Sequence, residues 1–208
     1  MGNADPSVLL IDDDPEFRDS VARLLRTVGL HAWEFSSVSD FLKADPPDGP
    51  TCLVLDVRMP GRSGLELQRD LAAANRQVPI IFITAHADVP MTVQAMKGGA
   101  IEFLTQPFRD QDLLDAVEAG LARDRARRES ERALAALRER FDTLSSRERE
   151  VMREVVTGRL NKQIANDIGI AESTVKVHRT NLMRKMKARS LPELSRMAGM
   201  LNIGPQQP

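Results

Sequence analysis

Aspartates follow two apolar runs of this 208-residue chain, each at the point where the run ends. Asp12 and Asp13 come directly after VLLI, and Asp56 closes CLVLD. Carboxylates held close together repel one another, so such a group destabilises a fold unless a cation or a nearby Lys or Arg offsets it. A simpler interpretation applies only to the aspartates after VLLI: they mark the start of a helix, which Asp14 caps and which begins at Pro15.

The elements that position these aspartates alternate along the first half of the chain. Apolar runs predict five strands, and a helical pattern follows each of them, the last over residues 110–122. This alternation predicts an α/β fold with a doubly wound, flavodoxin-like parallel sheet of five strands and helices on both faces. The predicted strands cover residues 8–11, 30–35, 52–56, 79–84 and 101–105.

Functional groups in such a sheet gather beyond the carboxyl ends of the strands. The ends of the first and third strands carry Asp12, Asp13 and Asp56, and the fourth strand ends at Thr84. Each has a plain structural explanation, since Asp56 could cap a loop and Thr84 could simply end a strand. Their coincidence at corresponding strand ends favours one shared site.

The charge of the chain is divided between its two halves. Residues 1–120 hold 10 Lys and Arg against 19 Asp and Glu, a balance of −9, whereas residues 121–208 hold 19 against 11, a balance of +8. The two values sum to the net charge of −1. An acidic half joined to a basic half indicates two tasks, and the basic half is the candidate for nucleic-acid binding.

A charge-rich segment, residues 121–141, separates the two halves. It has no Pro or Gly and holds oppositely charged pairs at helical spacing, such as Asp124 with Arg128, which predicts a solvated helical linker. A charge-rich disordered linker is the alternative. Four short helical patterns follow, with possible caps at Ser145, Asn161 and Ser190, and a tight turn between the second and third predicts a helix-turn-helix.

Several classes of protein are not indicated. The longest apolar runs fall well short of a membrane span, and the N-terminus lacks the features of a secretory signal. Cys52 is the only cysteine, so there is no disulfide framework, and its apolar surroundings predict a small core residue. We expect a cytoplasmic protein.

The motifs together resemble two known domains. Residues 8–120 resemble the receiver domain of two-component response regulators, through IDDD, LDVRMPGRSGLEL, PIIFITAH, AMKGGAIEFL and QPF. Residues 142–201 resemble the LuxR/NarL-type DNA-binding domain, through LSSREREV, GRLNKQIANDIGIAESTVKVHR and MKARSLPEL. The chain is therefore similar to the FixJ-like branch of the NarL/FixJ family. This implies a receiver domain at 6–121, a helical linker at 122–141 and a helix-turn-helix domain at 142–204.

The resemblance implies that Asp56 accepts a phosphoryl group from a sensor histidine kinase. It also implies Mg²⁺ held by Asp12, Asp13, Asp56 and the backbone carbonyl of Arg58, a hard cation suited to oxygen ligands. The implied switch residues are Thr84, Phe103, Gln106 and Pro107. The family pattern has lysine where this chain has Gln106, and receivers commonly have a cis bond before the following proline.

In the second domain the resemblance implies a recognition helix over about 173–186 that binds double-stranded DNA with paired half-sites. Lys176, Val177 and Thr180 are the implied base readers, because Lys bonds guanine and Val or the Thr methyl contacts thymine. The implied phosphate contacts, which orient the protein, are His178, Arg179, Arg184 and Lys185. The last helix implies a dimer contact through Leu191, Leu194, Met197 and Leu201. Ala171, before the recognition helix, leaves it without a side-chain cap.

The function this predicts is a transcription regulator, not a free-standing enzyme, that catalyses its own Mg²⁺-dependent aspartyl phosphorylation and dephosphorylation. Phosphorylation is expected to promote a homodimer, and RNA polymerase is a further partner that the resemblance allows. Two rivals stay open. One is a phosphotransferase or phosphatase working through an aspartyl phosphate, which would not need a recognition helix. The other is a constitutive DNA-binding protein with a degenerate receiver, which the departure at Gln106 favours.

Overall fold

A computed structural model describes residues 5–45 and 48–204 of the chain. The chain divides after Arg128 into two compact units, each with its own core. The first unit holds a sheet with helices, and the second is entirely helical. No helix of the described part is long and apolar enough to cross a bilayer.

The first unit contains a parallel sheet of five strands in the order β2-β1-β3-β4-β5, which confirms the predicted doubly wound arrangement. The strands are β1 (Ser7–Ile11), β2 (His31–Phe35), β3 (Thr51–Asp56), β4 (Ile80–Thr84) and β5 (Glu102–Thr105). The helices that follow them are α1 (Pro15–Thr27), α2 (Val38–Lys43), α3 (Gly64–Ala73), α4 (Val89–Lys97) and α5 (Asp110–Asp142).

Two apolar layers, one on each face, hold this sheet. Alternate residues of β1 point to opposite layers: Leu9 joins the cluster that includes buried residues of α2, α3 and α4, whereas Leu10 joins the cluster with α1 and α5. Because both faces are covered, the central strands are continuous apolar runs, as expected of a parallel sheet. Asp14 accepts hydrogen bonds from the first turn of α1, with Pro15 at its first position, so the predicted cap is confirmed.

The helix α5 continues without a break from Asp110 to Asp142, so the segment 121–141 is helical and the disordered alternative is wrong. Alternating charges along this stretch place favourable pairs one turn apart, which supports a helix with few apolar contacts. One feature differs from the predicted solvated helix: the Asp124 side chain is fully buried within the first unit.

The second unit consists of the end of α5 with α6 (Ser146–Val155), α7 (Asn161–Ile168), α8 (Glu172–Met186) and α9 (Leu191–Met200). A turn at Gly169, with φ +69°, joins α7 to α8 as predicted for a helix-turn-helix. The helices of this unit share an apolar core that includes Val151, Met152, Ile164, Val175 and Leu182.

The helix caps of the second unit match the sequence predictions only in part. Ser145 and Glu148 form the predicted capping box of α6, and Ala171 leaves α8 without a side-chain cap. At α9, Ser190 accepts from the Glu193 N–H, but the Glu193 carboxylate accepts from the Arg189 N–H, so the predicted box is incomplete. The predicted Asn161 cap is wrong, because Asn161 is the first helical residue of α7.

Candidate functional site

The register of the sheet brings the predicted carboxylates to one edge. Ile11 of β1 aligns with Leu55 of β3, so the following residues, Asp12 and Asp56, leave the sheet side by side. On the other side of β3, Asp56 aligns with Ile83, and Thr84 is the next residue of β4.

Asp12, Asp13 and Asp56 form an acidic cluster whose carboxylate oxygens lie within 4.8 Å of one another. Asp12 is only 4% exposed, Asp56 is half-buried and Asp13 is exposed. None of the Lys and Arg residues in the described part forms an ion pair with the acidic cluster. Backbone N–H groups donate to it instead, from Asp14 to Asp12 at 2.9 Å and from Arg58 to Asp56 at 3.2 Å.

The acidic cluster is electrostatically unfavourable in the absence of a cation. The pKa of Asp12 is raised to about 6, mainly by burial; the Asp14 N–H lowers it in part, and the charges of Asp56 and Asp13 contribute to the rise. Burial likewise raises the pKa of Asp56, partly offset by the N–H of Arg58. Both shifts show that ionised carboxylates are held here against desolvation and mutual repulsion.

The acidic cluster fits a hard divalent cation. Among the described residues it offers three carboxylates and no sulfur or imidazole ligand. This donor set suits Mg²⁺, which is bound through few carboxylates and keeps several waters. Asp12 is buried and its pKa is raised, so a bound cation would stabilise its ionised carboxylate.

The predicted switch residues Thr84 and Phe103 lie on β4 and β5. Thr84 is 2% exposed and its hydroxyl accepts from the N–H of His86, the second residue of the following loop, at 3.3 Å. Phe103 is half-buried against the first apolar layer, with its ring centroid 6.2 Å from that of Phe82. Thr84 therefore connects the sheet edge to the loop after β4, whereas Phe103 packs against the core beside it.

Gln106 follows β5, and its N–H donates to the carbonyl of Thr84 at 2.9 Å. The bond between Gln106 and Pro107 is cis, as predicted. The Gln106 side chain lines a groove beside Phe17 and Phe108, between α1 and the start of α5. It forms no hydrogen bond with any other residue that the structure describes, so the position where the family pattern has lysine adds no positive charge to the acidic cluster.

In the second unit, one face of α8 is exposed. Lys176, Val177 and Thr180, the predicted base readers, all lie on it, and Val177 is 58% exposed despite its apolar side chain. Arg184, one turn beyond Thr180, is also exposed, and among the described residues its one hydrogen-bond partner is Asn181 of the same helix. The spacing 176, 177, 180 and 184 is that of one helix face.

The remaining predicted phosphate contacts are less exposed. His178 and Arg179 are half-buried, and Arg179 donates to the Asn161 side chain of α7 at 3.1 Å. Lys185, also predicted to contact phosphate, is half-buried, and its ammonium donates to the Glu148 carboxylate at 2.6 Å and to the Thr143 carbonyl at 3.0 Å. To contact a phosphate, this ammonium would have to leave a buried carboxylate, so the phosphate contact of Lys185 stays a prediction.

Of the four predicted dimer contacts on α9, one is wrong and the other three stay predictions. Leu194 is 0% exposed and belongs to the core of the second unit, and the other three residues pack against that core. These three residues are Leu191, Met197 and Leu201. The apolar spacing along α9 therefore marks the face of the helix that packs against the core of its own unit. The exposed positions of this helix include Pro192, Arg196 and Met200.

Sequence reasoning missed the role of Asp124 in the first unit. Its carboxylate accepts from the backbone N–H of Thr51 at 2.9 Å and from the guanidinium groups of Arg127 and Arg128. Burial alone would raise the pKa of Asp124, but these three partners outweigh it and lower the pKa. The i,i+4 spacing to Arg128 was visible in the sequence, whereas the contact with Thr51, 73 residues away, was not.

The fold and the two sites together define a receiver joined to a helix-turn-helix. A family model described as the response regulator receiver domain matches residues 8–118. A second, described as bacterial regulatory proteins of the luxR family, matches residues 142–198.

Similar proteins extend over both units. Nodulation protein W of Bradyrhizobium diazoefficiens is 54% identical, over 94% of this chain and 86% of its own length. The transcriptional regulatory protein FixJ of Azorhizobium caulinodans is 46% identical, over 95% and 94%. The solved low-resolution structure of the response regulator StyR gives a TM-score of 0.86 at 48% identity, over 94% of this chain and 99% of that one.

This chain belongs to the NarL/FixJ family of two-component response regulators, in which a receiver domain is joined to a LuxR-type DNA-binding domain. It is a transcriptional response regulator and not a classical enzyme. The family implies a kinase as partner of the receiver and DNA as partner of the helix-turn-helix.

Proposed function

We propose that Asp56 accepts a phosphoryl group from a phosphohistidine of the cognate kinase, and that this modification controls DNA binding by α8. The observation that carries the proposal is the acidic cluster, three carboxylates within 4.8 Å at the carboxyl edge of the sheet. Of the three, Asp56 lies at the end of the central strand β3, between Asp12 on one side and Thr84 on the other.

In the proposed reaction, a carboxylate oxygen of Asp56 attacks phosphorus. The O–P bond forms as the P–N bond of the phosphohistidine breaks, and the electron pair returns to the imidazole. Asp12, Asp13, Asp56 and the backbone carbonyl of Arg58 would hold Mg²⁺, which supplies charge neutralisation for the phosphoryl oxygens. The Arg58 N–H, already 3.2 Å from Asp56, orients the acceptor.

Thr84 and Phe103 carry the change away from the acceptor. In this proposal the Thr84 hydroxyl leaves the His86 N–H and donates to a phosphoryl oxygen, which draws the loop after β4 inward. Phe103, half-buried beside Phe82, turns into the space that this movement opens. The two residues then select between two arrangements of α4 and β5, as a phosphorylation switch requires.

The proposed DNA contacts are Lys176, Val177 and Thr180 for base edges and Arg184 for phosphate, because these side chains share the exposed face of α8. His178 and Arg179 are secondary phosphate contacts. Phosphorylation is proposed to favour a homodimer on paired half-sites, with any α9 contact made through its exposed face. RNA polymerase is a further proposed partner, and the cytoplasm, where DNA and kinase domains meet, the proposed location.

We also propose that function divides the chain at 6–121 for phosphoryl acceptance, 122–141 for the helical connection and 142–204 for DNA binding. Support comes from the compositional change near residue 120 and from the charge pattern along α5.

The acceptor assignment is tested by incubating the full chain with acetyl phosphate and MgCl₂ and measuring intact mass. Wild type should gain one phosphoryl group, and Asp56→Asn should gain none, because an amide is not a nucleophile for this transfer. Asp14→Asn is the matched control, since Asn also caps a helix and Asp14 lies outside the acidic cluster. Labelling of Asp56→Asn to the same extent as wild type would contradict the assignment.

A further inference from the structure

Lys185 links its own helix, α8, to two other segments of the second unit. It belongs to the last turn of α8, and its ammonium bonds the Glu148 carboxylate of α6 and the Thr143 carbonyl just after α5. The Lys185 side chain is 30% exposed, and that of Glu148 is 5% exposed. The interaction is therefore a largely buried ion pair with a second hydrogen bond.

Glu148 also stabilises the start of α6. The carboxylate oxygen that binds Lys185 also accepts from the N–H of Ser145, which closes the capping box of α6. Burial raises the pKa of Glu148, but the Lys185 ammonium and the Ser145 N–H outweigh burial, so the pKa is lowered and the carboxylate is ionised at neutral pH. A buried ionised carboxylate requires a paired cation, which makes the pair mutually dependent.

Polar contacts of this kind determine how α8 is oriented. Its buried side chains, such as Val175 and Leu182, pack through apolar contacts that are non-directional. Among the hydrogen bonds of the described residues, α8 is tied to other helical segments at two points, Arg179 with Asn161 and Lys185 with Glu148 and Thr143. Hydrogen bonds are directional, so these two points restrict rotation and sliding of the helix.

We infer that Lys185 is a positioning residue for DNA recognition: paired with Glu148, it holds α8 so that Lys176, Val177 and Thr180 meet base edges, without itself touching DNA. The inference rests on the proposed role of α8 in DNA binding. It assigns Lys185 a function opposite to that of an ordinary basic residue on a recognition helix.

The two roles predict opposite effects of removing the Glu148 charge. If Lys185 positions α8, Glu148→Gln loosens the helix and weakens sequence-specific binding. If Lys185 contacts phosphate, the same change releases its ammonium and strengthens binding. Glu150→Gln is the matched control, because it removes the same charge from the same helix, where Glu150 is 39% exposed and pairs with Arg147.

The experiment compares the full-length wild type, Glu148→Gln and Glu150→Gln by fluorescence anisotropy over a range of KCl concentrations. The probes are a duplex selected with wild type from a randomised pool and a scrambled duplex. Glu148→Gln should lower the ratio of specific to non-specific affinity about tenfold relative to Glu150→Gln, as expected for loss of a coupled pair. The salt slope should not change, and loss of folded protein would not alter this ratio.

Equal or tighter specific binding by Glu148→Gln than by Glu150→Gln would overturn the inference. Lys185→Arg, which keeps the pair, should retain the wild-type ratio. Should Glu148→Gln not fold, Lys185→Gln is compared with Lys187→Gln, whose side chain is exposed. An unchanged salt slope for Lys185→Gln supports positioning, and a slope reduced by about one, as for a phosphate contact, contradicts it. A wild type without sequence preference would overturn the proposed DNA-binding role itself.

Discussion

At the scale of single residues, the acidic cluster destabilises the folded receiver but gathers the carboxylates that the proposed phosphoryl transfer needs. Three carboxylates meet at one edge without an ion-pair partner in the described part of the chain, and Asp12 is nearly fully buried. Its pKa, raised to about 6 from 3.8, means that the folded protein holds a proton there more tightly than the unfolded chain does. Ionisation of Asp12 therefore destabilises the fold in the absence of metal.

The first prediction concerns pH and Mg²⁺. Without metal, the free energy of unfolding of the receiver should rise as pH falls from 7 through 6 towards 4, by roughly 1–3 kcal/mol, because protonation relieves Asp12. Mg²⁺ should stabilise the receiver at pH 7.5, and this gain should shrink below pH 6, where protons compete for the same oxygens.

Urea unfolding followed by fluorescence measures this directly, because Trp33 is the only tryptophan of the chain and lies in the receiver. Asp13→Asn is expected to abolish most of the Mg²⁺ gain, whereas Asp14→Asn should retain it. A Mg²⁺ gain that persists unchanged in Asp13→Asn would rule out the acidic cluster as the metal site.

The second prediction concerns Gln106. This side chain has no charge and, within the described residues, no hydrogen bond, so the phosphorylated state lacks a cation that the family pattern supplies. Gln106→Lys should increase the gain in DNA affinity caused by phosphorylation severalfold or more, since one charge-assisted hydrogen bond is worth about 1.5–3 kcal/mol, about tenfold at the lower limit. Anisotropy titrations with and without acetyl phosphate test this, with Gln106→Met as control. An identical gain for all three proteins would show that position 106 does not contribute.

At the scale of elements, sequence spacing identified faces correctly but not what each face contacts. The spacing of Lys176, Val177 and Thr180 predicted their common face on α8, which the structure confirms. The same reasoning failed for Leu194 of α9, which is buried in the core, and it did not reveal that Lys185 pairs with a carboxylate of α6. Periodicity describes one helix at a time, and a basic or apolar residue is equally compatible with an inward or an outward partner.

The third prediction separates base reading from phosphate contact on α8. Lys176→Ala should weaken binding to the selected duplex by about 1–3 kcal/mol and relax preference at one base pair, because a base-edge contact is lost. Arg184→Ala should weaken all duplexes alike and reduce the salt slope by about one. Binding to a library of single-base variants at several salt concentrations distinguishes them, and the reverse pattern would mean that α8 enters the groove differently.

The fourth prediction concerns Asp124, which ties α5 to the start of β3. Asp124→Asn should reduce the free energy of unfolding of the receiver by about 3 kcal/mol, because it leaves two arginines and a buried N–H with weakened partners. Since the pKa of Asp124 is lowered by folding, its stabilising effect is present above pH 4 and is lost as pH falls further.

Trp33 fluorescence during urea unfolding reports this loss. Glu118→Gln, an exposed acid on the same helix, should change stability by less than about 0.5 kcal/mol. Equal stability of the two variants would show that the hydrogen bonds and ion pairs of Asp124 make no net contribution to the free energy of unfolding.

At the scale of the whole molecule, the sequence was sufficient for the architecture. Five apolar runs alternating with helices predicted the sheet class, and the parallel-sheet rule predicted that Asp12, Asp56 and Thr84 lie at one edge. The long-range contacts of Asp124 and Lys185 could not be predicted, since they join segments 73 and 37 residues apart whose pairing depends on the completed fold.

The chain joins an acidic receiver and a basic DNA-binding unit, and the central claim is that a phosphoryl group on Asp56 favours the DNA-bound form. Linkage requires that the phosphoryl group and DNA each increase the affinity for the other by the same factor. The most direct measurement is an anisotropy titration of the selected duplex with wild type and Asp56→Asn, each with and without acetyl phosphate and Mg²⁺. The account predicts that acetyl phosphate tightens binding of wild type by about 5- to 150-fold and leaves Asp56→Asn unchanged. An unchanged affinity of wild type, or an equal gain in Asp56→Asn, would contradict it.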